Sequence, residues 1–331
     1  MPHLLVTIDT EEDEWGQFSA PRFGARNIRR IPELQELFDR FGVTPTYLVT
    51  HQVANNEEAV RILEPIASAG HCEVGAHCHP WNTPPFRWPS DETHSMLHRL
   101  PPEAQFEKIR ALKETLRMNL GQTPVSFRAG RFGFDDSVAV NLLRLGFRVD
   151  TSVTPLLSWT EFGGPEYDED YPDCFWLRFG AEAPGRLLEV PCTVGFLQRS
   201  PVRANARLQS VRASPLLHRL RAQGVLEFLG IINKVWLCPE KTPLADMVAL
   251  SRRRVRDDAA ILNLMFHSVS LEPGLTPFVR DERDRRDLLG RIRRYLEFCR
   301  SRGVLSRRLD AVSVLTDELT PPRPLHTVAL P

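Results

Sequence analysis

The chain has 331 residues, 42% hydrophobic and 25% charged, with 42 basic and 42 acidic side chains that cancel. Such a composition predicts a globular protein with a sizeable core, and the balanced charge argues against a role governed by nucleic-acid phosphates or lipid headgroups. No stretch reaches the ~18 apolar residues that a membrane-spanning helix needs, so no stable insertion is expected.

From Met1 the chain enters an apolar run at residues 4–8 that ends on Asp9, with Glu11, Glu12 and Asp13 behind it. A basic start, apolar centre and small-residue cleavage site are missing here, and the six cysteines (72, 78, 174, 192, 238 and 299) are scattered. The reading is a cytoplasmic protein with reduced thiols. Ile31, Leu34, Leu37, Phe38 and Phe41 recur at helical spacing between Pro32 and Gly42, and residues 46–50 then read as a strand. Val60, Leu63, Ile66 and Ala67 form a second helical stripe, stopped by Gly70, before a strand that leads through Val74 to His77 and His79. Phe106, Ile109, Leu112 and Leu116 form a third, stopped by Gly121. Residues 125–127 end on Arg128, a helix after Asp136 ends at Gly146, and residues 147–149 end on Asp150.

Between about 155 and 186 the alternation weakens into a Gly-, Pro-, Trp- and Tyr-rich stretch that predicts a long surface excursion. Residues 187–191 restore a strand, 214–254 read as mainly helical with breaks at Gly224, Pro239 and Pro243, and 261–266 end on His267. A strongly amphipathic helix covers 281–302, and the tail from Pro321 is proline-rich. Repeated strand–helix units predict an α/β fold with a parallel sheet or barrel. The carboxyl ends of parallel strands open onto one face, so apolar runs that each end on a group able to do acid–base or metal chemistry predict an active site there.

The densest cluster is GHCEVGAHCHPW at 70–81, where His77 and His79 can face one ion; a carboxylate from the first motif would complete a two-His, one-carboxylate set. The alternative is a pair of imidazoles hydrogen-bonded in a turn before Pro80, and a structural site that also uses Cys72 and Cys78 lacks the paired C-x-x-C spacing. TIDTEEDEW at 7–15 crowds like charges, which are costly unless they are solvated, share a proton or are neutralised by a cation. By itself it also reads as a solvated acidic loop.

Taken together and in order, these two segments with FRAGRFGF (127–134), FRVDTSV (147–153) and LNLMFHS (262–268) resemble the five motifs of the polysaccharide deacetylases of the NodB-homology type, carbohydrate esterase family 4, in a cytoplasmic branch. The likeness spans about residues 4–273. It implies a distorted (β/α) barrel with insertions at about 155–186 and 200–250, a single catalytic domain over 1–320 and a tail at 321–331. It further implies metal-dependent removal of an N-acetyl group from a sugar or glycan. Carried over residue by residue, the resemblance makes Asp9 the base and Arg128 its holder. Glu11, His77 and His79 become ligands of a divalent ion, zinc in the first place. His267 becomes the general acid and Asp150 the residue that orients it. A backbone N–H near Phe132 or Gly133 would face the oxyanion, and Trp15 and Trp81, with Phe86 and Trp88, would offer flat faces to a sugar ring; packing of the long loops is the competing role for these aromatics.

Two departures from the family pattern stand out. No second aspartate adjoins Asp9, so the following acid is Glu11, Glu12 or Asp13, with Glu11 the first choice; and one residue, in place of three, separates the histidines. Two other readings remain open: the same site acting on a non-sugar amide, as in allantoinases and imidases, and a carbohydrate-binding relative without hydrolysis. Asp9, Arg128, Asp150 and His267 together speak against the latter, because binding needs no acid–base pair. Homo-oligomerisation stays open.

Overall fold

The computed structural model describes residues 2–19, 23–167, 173–178, 185–198, 200–214, 226 and 231–312. The tail at 321–331 and parts of both expected insertions lie outside the described residues. The first half follows the sequence pattern: β1 (His3–Thr10), α1 (Ile31–Phe41), β2 (Thr46–Val49), α2 (His51–Ala54), α3 (Glu57–Ser68), β3 (Glu73–Cys78), α4 (Pro102–Leu120), β4 (Ser126–Ala129), α5 (Asp136–Arg144) and β5 (Val149–Asp150). Side-chain caps start the helices where the sequence offers them, Asn56 accepting from the Ala59 N–H and Asp135 from the Val138 N–H.

The second half is more broken. It holds β6 (Leu157–Ser158), β7 (Glu166–Tyr167), β8 (Phe175–Arg178), β9 (Arg186–Glu189), β10 (Val194–Phe196), α6 (Pro201–Ala213), β11 (Lys234–Trp236), α7 (Leu244–Arg256), β12 (Ile261–His267), α8 (Glu282–Ser301) and β13 (Leu305–Ser306). Residues 234–236, read from the sequence as part of a helical region, instead pair antiparallel with β10. The β-branched Val235 and the aromatic Trp236 suit a pleated surface, and a three-residue strand is too short to show a period of two.

The main sheet runs β12–β1–β2–β3–β4–β5–β9–β8, with β13 beside β1. Every pairing in it is parallel except β8 with β9. The sheet curls into a half-barrel of the (β/α) type with helices outside. Its open side is bridged to β12, where the Asn263 N–H donates to Thr193 Oγ1 at 2.8 Å and the Met265 N–H to the Leu237 carbonyl at 3.1 Å. Helix stripes such as Leu34 and Phe38, Ile109 and Leu112, and Leu288 and Ile292 are buried on the outer face of the sheet. Inside, an apolar cluster that includes Leu5, Val149, Leu188, Val190 and Ile261 gives way toward the carboxyl ends to a polar network: Thr7 Oγ1 donates to Asn263 at 2.9 Å, and Asn263 Nδ2 donates to Thr151 Oγ1 at 3.0 Å. At the floor, Leu309 and Asp310 are tied by backbone N–H bonds to Thr46 and Glu73, so the barrel opens at its carboxyl end.

Candidate active site

Residues two apart on an extended chain share a face. Thr7 and Asp9 therefore both project into the barrel, as do Asn263 and His267 four residues on, and the β1–β12 register sets Asp9 directly beside His267. The β3–β4 register does the same for His77 and Arg128, and His79 follows His77 on the same face. Four strand ends thus deliver Asp9, His77, Arg128 and His267 to one point.

At that point Glu11 Oε1 lies 3.1 Å from His77 Nε2 and 3.5 Å from His79 Nε2, and the two Nε2 atoms are 3.0 Å apart. The opposite nitrogens are committed. His77 Nδ1 meets the Arg128 carbonyl at 3.0 Å and His79 Nδ1 meets Glu12 Oε1 at 2.7 Å; both partners can only accept, so both Nδ1 atoms carry hydrogen. The Nε2 lone pairs are left converging with a carboxylate, an arrangement that repels itself unless a cation sits between them. Burial opposes the Glu11 charge, but the His79 and His77 rings outweigh it and hold its pKa well below the ordinary carboxylate value. Burial likewise opposes a charged His79, while Glu12 and Glu11 raise its pKa to about 10. The centre attracts positive charge, and a proton and a metal ion compete for the same lone pair. The donor set fits a divalent ion of the zinc class.

Of the three acids left open by the sequence, Glu11 is the one that faces both rings. Glu12 braces His79 and is itself held by Thr50 Oγ1 at 3.0 Å and Asn82 Nδ2 at 2.5 Å. Asp13 turns away to accept from the N–H groups of Arg26 and Asn27. The spacing of one residue between the histidines is accommodated by the strand itself, and the His79 ring is stacked under Trp81 with centroids 4.1 Å apart. Gly130 also packs against this ring: a Cβ there would come within 2.6 Å of it and 2.7 Å of the Cys78 carbonyl oxygen, so no larger residue fits. The loop carrying these groups is pinned from behind by buried Lys108, whose Nζ donates to the carbonyls of Pro80, Thr83 and Pro85 at 2.8, 2.6 and 2.9 Å.

Asp9 is held by Arg128, Nη1 to Oδ1 at 2.5 Å, and Arg128 is fully buried with further bonds to Thr7 and Thr151. The second oxygen of Asp9, Oδ2, faces His77 Nε2 at 3.8 Å and His267 Nε2 at 3.7 Å. Asp9, Glu11 and His267 form a second group close enough to share an ion. The first group is the better one, because Asp9 is already neutralised by Arg128. At His267 burial is overridden by Glu240, then Glu11 and Asp9, which raise its pKa to about 9.

Two expectations need correction. Asp150 does not touch His267. In register with Phe127 on β4 and Glu189 on β9, it points to the face of the sheet opposite Arg128 and accepts from the Ser152 N–H and hydroxyl, both at 2.9 Å. Burial raises the pKa of both Asp150 and Glu189, and the adjacent charge raises Glu189 further, so this pair shares a proton. The carboxylate on His267 is Glu240, Oε2 to Nδ1 at 2.8 Å, with Oε1 accepting from Ser270 and from the His267 N–H. Glu240 follows β11 and left no periodic signal in the sequence. The second correction concerns Gly133: its N–H donates to the Gly130 carbonyl at 3.1 Å and is not turned toward an oxyanion.

A cavity of about 530 Å³ opens above these groups. Trp15, edge-on to His267 at 4.8 Å, and Trp81 both line it, as does Phe132, which stacks on Trp159 at 5.1 Å. Phe86 and Trp88 do not line it; they flank Lys108, with Phe86 63% exposed. Trp159 and Phe162 from the first insertion and Trp236 and Lys241 from the second complete the wall. Among the described residues, no helix is long and apolar enough to cross a membrane.

No protein-family model matches the chain, and no curated protein matches it. Solved structures do. A Mycobacterium smegmatis protein described as a polysaccharide deacetylase has a TM-score of 0.60 at 18% identity, covering 99% of this chain and 94% of its own. Puue allantoinase has a TM-score of 0.55 at 14% identity, covering 94% of this chain and 89% of its own. A branching enzyme of Thermococcus kodakaraensis has a TM-score of 0.53 at 10% identity, covering 98% and 73%. At these identities the likeness is one of fold, the distorted (β/α) barrel expected from the sequence.

Proposed function

We propose that the protein is a metal-dependent hydrolase of an N-acyl bond, with an N-acetylated sugar as its substrate. The carrying observation is the pairing of Asp9 Oδ2 with His267 Nε2, 3.7 Å apart, beside the converging Glu11, His77 and His79 donors. The aromatic lining of the cavity and the fold shared with the M. smegmatis protein support the sugar as substrate. On this reading residues 1–320 act as one catalytic domain.

Glu11, His77 and His79 would hold the ion, which when bound supplies Lewis-acid polarisation of the acyl oxygen and the attacking water. Asp9, fixed through one oxygen by Arg128, uses the other to take a proton as water attacks the acyl carbon. His267, protonated on both nitrogens and oriented by Glu240, gives its Nε2 proton to the nitrogen as the C–N bond breaks, so that acetate and a free amine leave. Phe132 and Trp81 exclude water around the reacting bond. Metal analysis of the purified protein is expected to find about one equivalent of a divalent ion, and His77→Ala is expected to lose it while keeping the fold. A full complement of metal in His77→Ala would remove this ligand assignment.

A second reading, hydrolysis of a cyclic or linear non-sugar amide, draws support from the fold shared with allantoinase over 89% of that chain. One assay decides between the two: acetate release from a panel of N-acetylated sugars beside ring opening of allantoin. Turnover of allantoin without acetate release favours the second reading.

A further inference from the structure

Two cations that the chemistry above leaves unused line the cavity, Arg131, which is paired with Glu92, and Lys241. Lys241 lies one residue beyond Glu240, with its Nζ 4.9 Å from the centroid of the Trp236 ring and 5.4 Å from that of Phe278. The other charged groups around the cavity have polar partners. Asp9 is on Arg128, Glu11 is between the imidazoles, and Glu12 is on His79. Glu14 accepts from the Gly24 N–H, and Glu92 pairs with Arg131 at 3.3 Å. Among the described residues, no carboxylate pairs with Lys241; its ammonium is flanked by ring faces, which hold a cation in place without neutralising it.

Its position assigns a side of the substrate. Trp15 stands edge-on to both His267, at 4.8 Å, and Phe278, at 5.9 Å, so one aromatic wall runs from the proton donor to the lysine. A group bound by Lys241 therefore belongs to the amine half of the substrate, the half that His267 protonates as it leaves. A cavity of about 530 Å³ suits a compact molecule.

We propose that the site takes an N-acylated sugar bearing an anionic group, phosphate or carboxylate, on its amine half, and that Lys241 binds this anion. The inference rests on the reading of this cavity as the substrate pocket, and its test does not depend on turnover. Binding calorimetry of the full chain with N-acetylglucosamine, N-acetylglucosamine 6-phosphate and N-acetylmuramic acid compares a neutral sugar, a phosphate and a carboxylate. A charge-assisted contact is expected to make an anionic sugar bind about 10- to 100-fold more tightly than the neutral one. Lys241→Met is expected to abolish that preference and Lys241→Arg to retain it, with metal content unchanged in both. Preference for the phosphate alone, or for both anions, identifies which group the lysine reads. Equal affinity for all three sugars, no binding of any of them, or a preference that survives Lys241→Met overturns the proposal. Acetate measured in the same samples separates it from the hydrolase reading: charge preference without acetate strikes the hydrolase reading and supports the anion site, and acetate without charge preference does the reverse.

Discussion

Asp9→Asn is expected to retain the ion and to lower turnover by about 10²–10⁴-fold, the usual contribution of a general base. The amide keeps the size of the carboxylate and an oxygen that can accept from Arg128, but it cannot take a proton from water. The substitution also leaves the fully buried Arg128 without the charge that meets it at 2.5 Å. Some loss of thermal stability should accompany the loss of rate, since an unpaired buried charge costs about 3–5 kcal/mol before relaxation. Circular dichroism and metal analysis separate the two effects. Glu11→Gln is expected to behave in the opposite way, losing metal first and activity as a consequence. If Asp9→Asn were the variant stripped of metal, the two carboxylates would exchange roles.

The second large effect belongs to His267. His267→Ala is expected to cut turnover by about 10²–10⁴-fold with the metal content intact, because an unprotonated amine is a poor leaving group. Glu240→Gln addresses the same proton more gently. Burial acts to lower the pKa of His267, and Glu240 is the largest influence raising it, to about 9. A raised pKa keeps the acid form populated as pH rises and gives it up only above that value. Removing the carboxylate should therefore move the basic limb of the pH–rate profile to lower pH. Asp150→Asn should leave that limb in place, since Asp150 bonds Ser152 and lies beside Glu189. A limb that moves with Asp150 and stays with Glu240 would reinstate the assignment drawn from the sequence.

The contrast between these two carboxylates shows what the sequence could and could not carry. Parallel strands announce themselves by apolar runs, and their ends converge by geometry, so Asp9, His77, Arg128 and His267 could be placed in one site from the linear pattern alone. Asp150 gave the same signal, yet β5 is only two residues long, and its last side chain, in register with Phe127, meets Glu189 on the face of the sheet away from Arg128. An apolar run states that a strand ends; it does not state which face its last side chain takes. Glu240 gave no signal at all: it sits in a turn after a three-residue strand and reaches His267 across 27 positions. Trp159 and Trp236 were hidden for the same reason, in segments whose periodicity is broken by glycine and proline. The barrel was legible because it is regular, whereas most of its cavity wall comes from irregular chain.

Lys108 is a counter-ion that cannot dissociate. Its ammonium gathers three carbonyls of the loop that follows His79, so the loop is shaped by a covalently attached charge before any metal arrives. Capture of the ion then demands little ordering of the chain, and removing the ion leaves a frame that does not unravel. A chelator should empty this site reversibly, and a different divalent ion offered afterwards should find the same seat. On the proposed reading, which metal this site takes in a cell becomes a matter of availability and exchange, with folding playing no part in the choice.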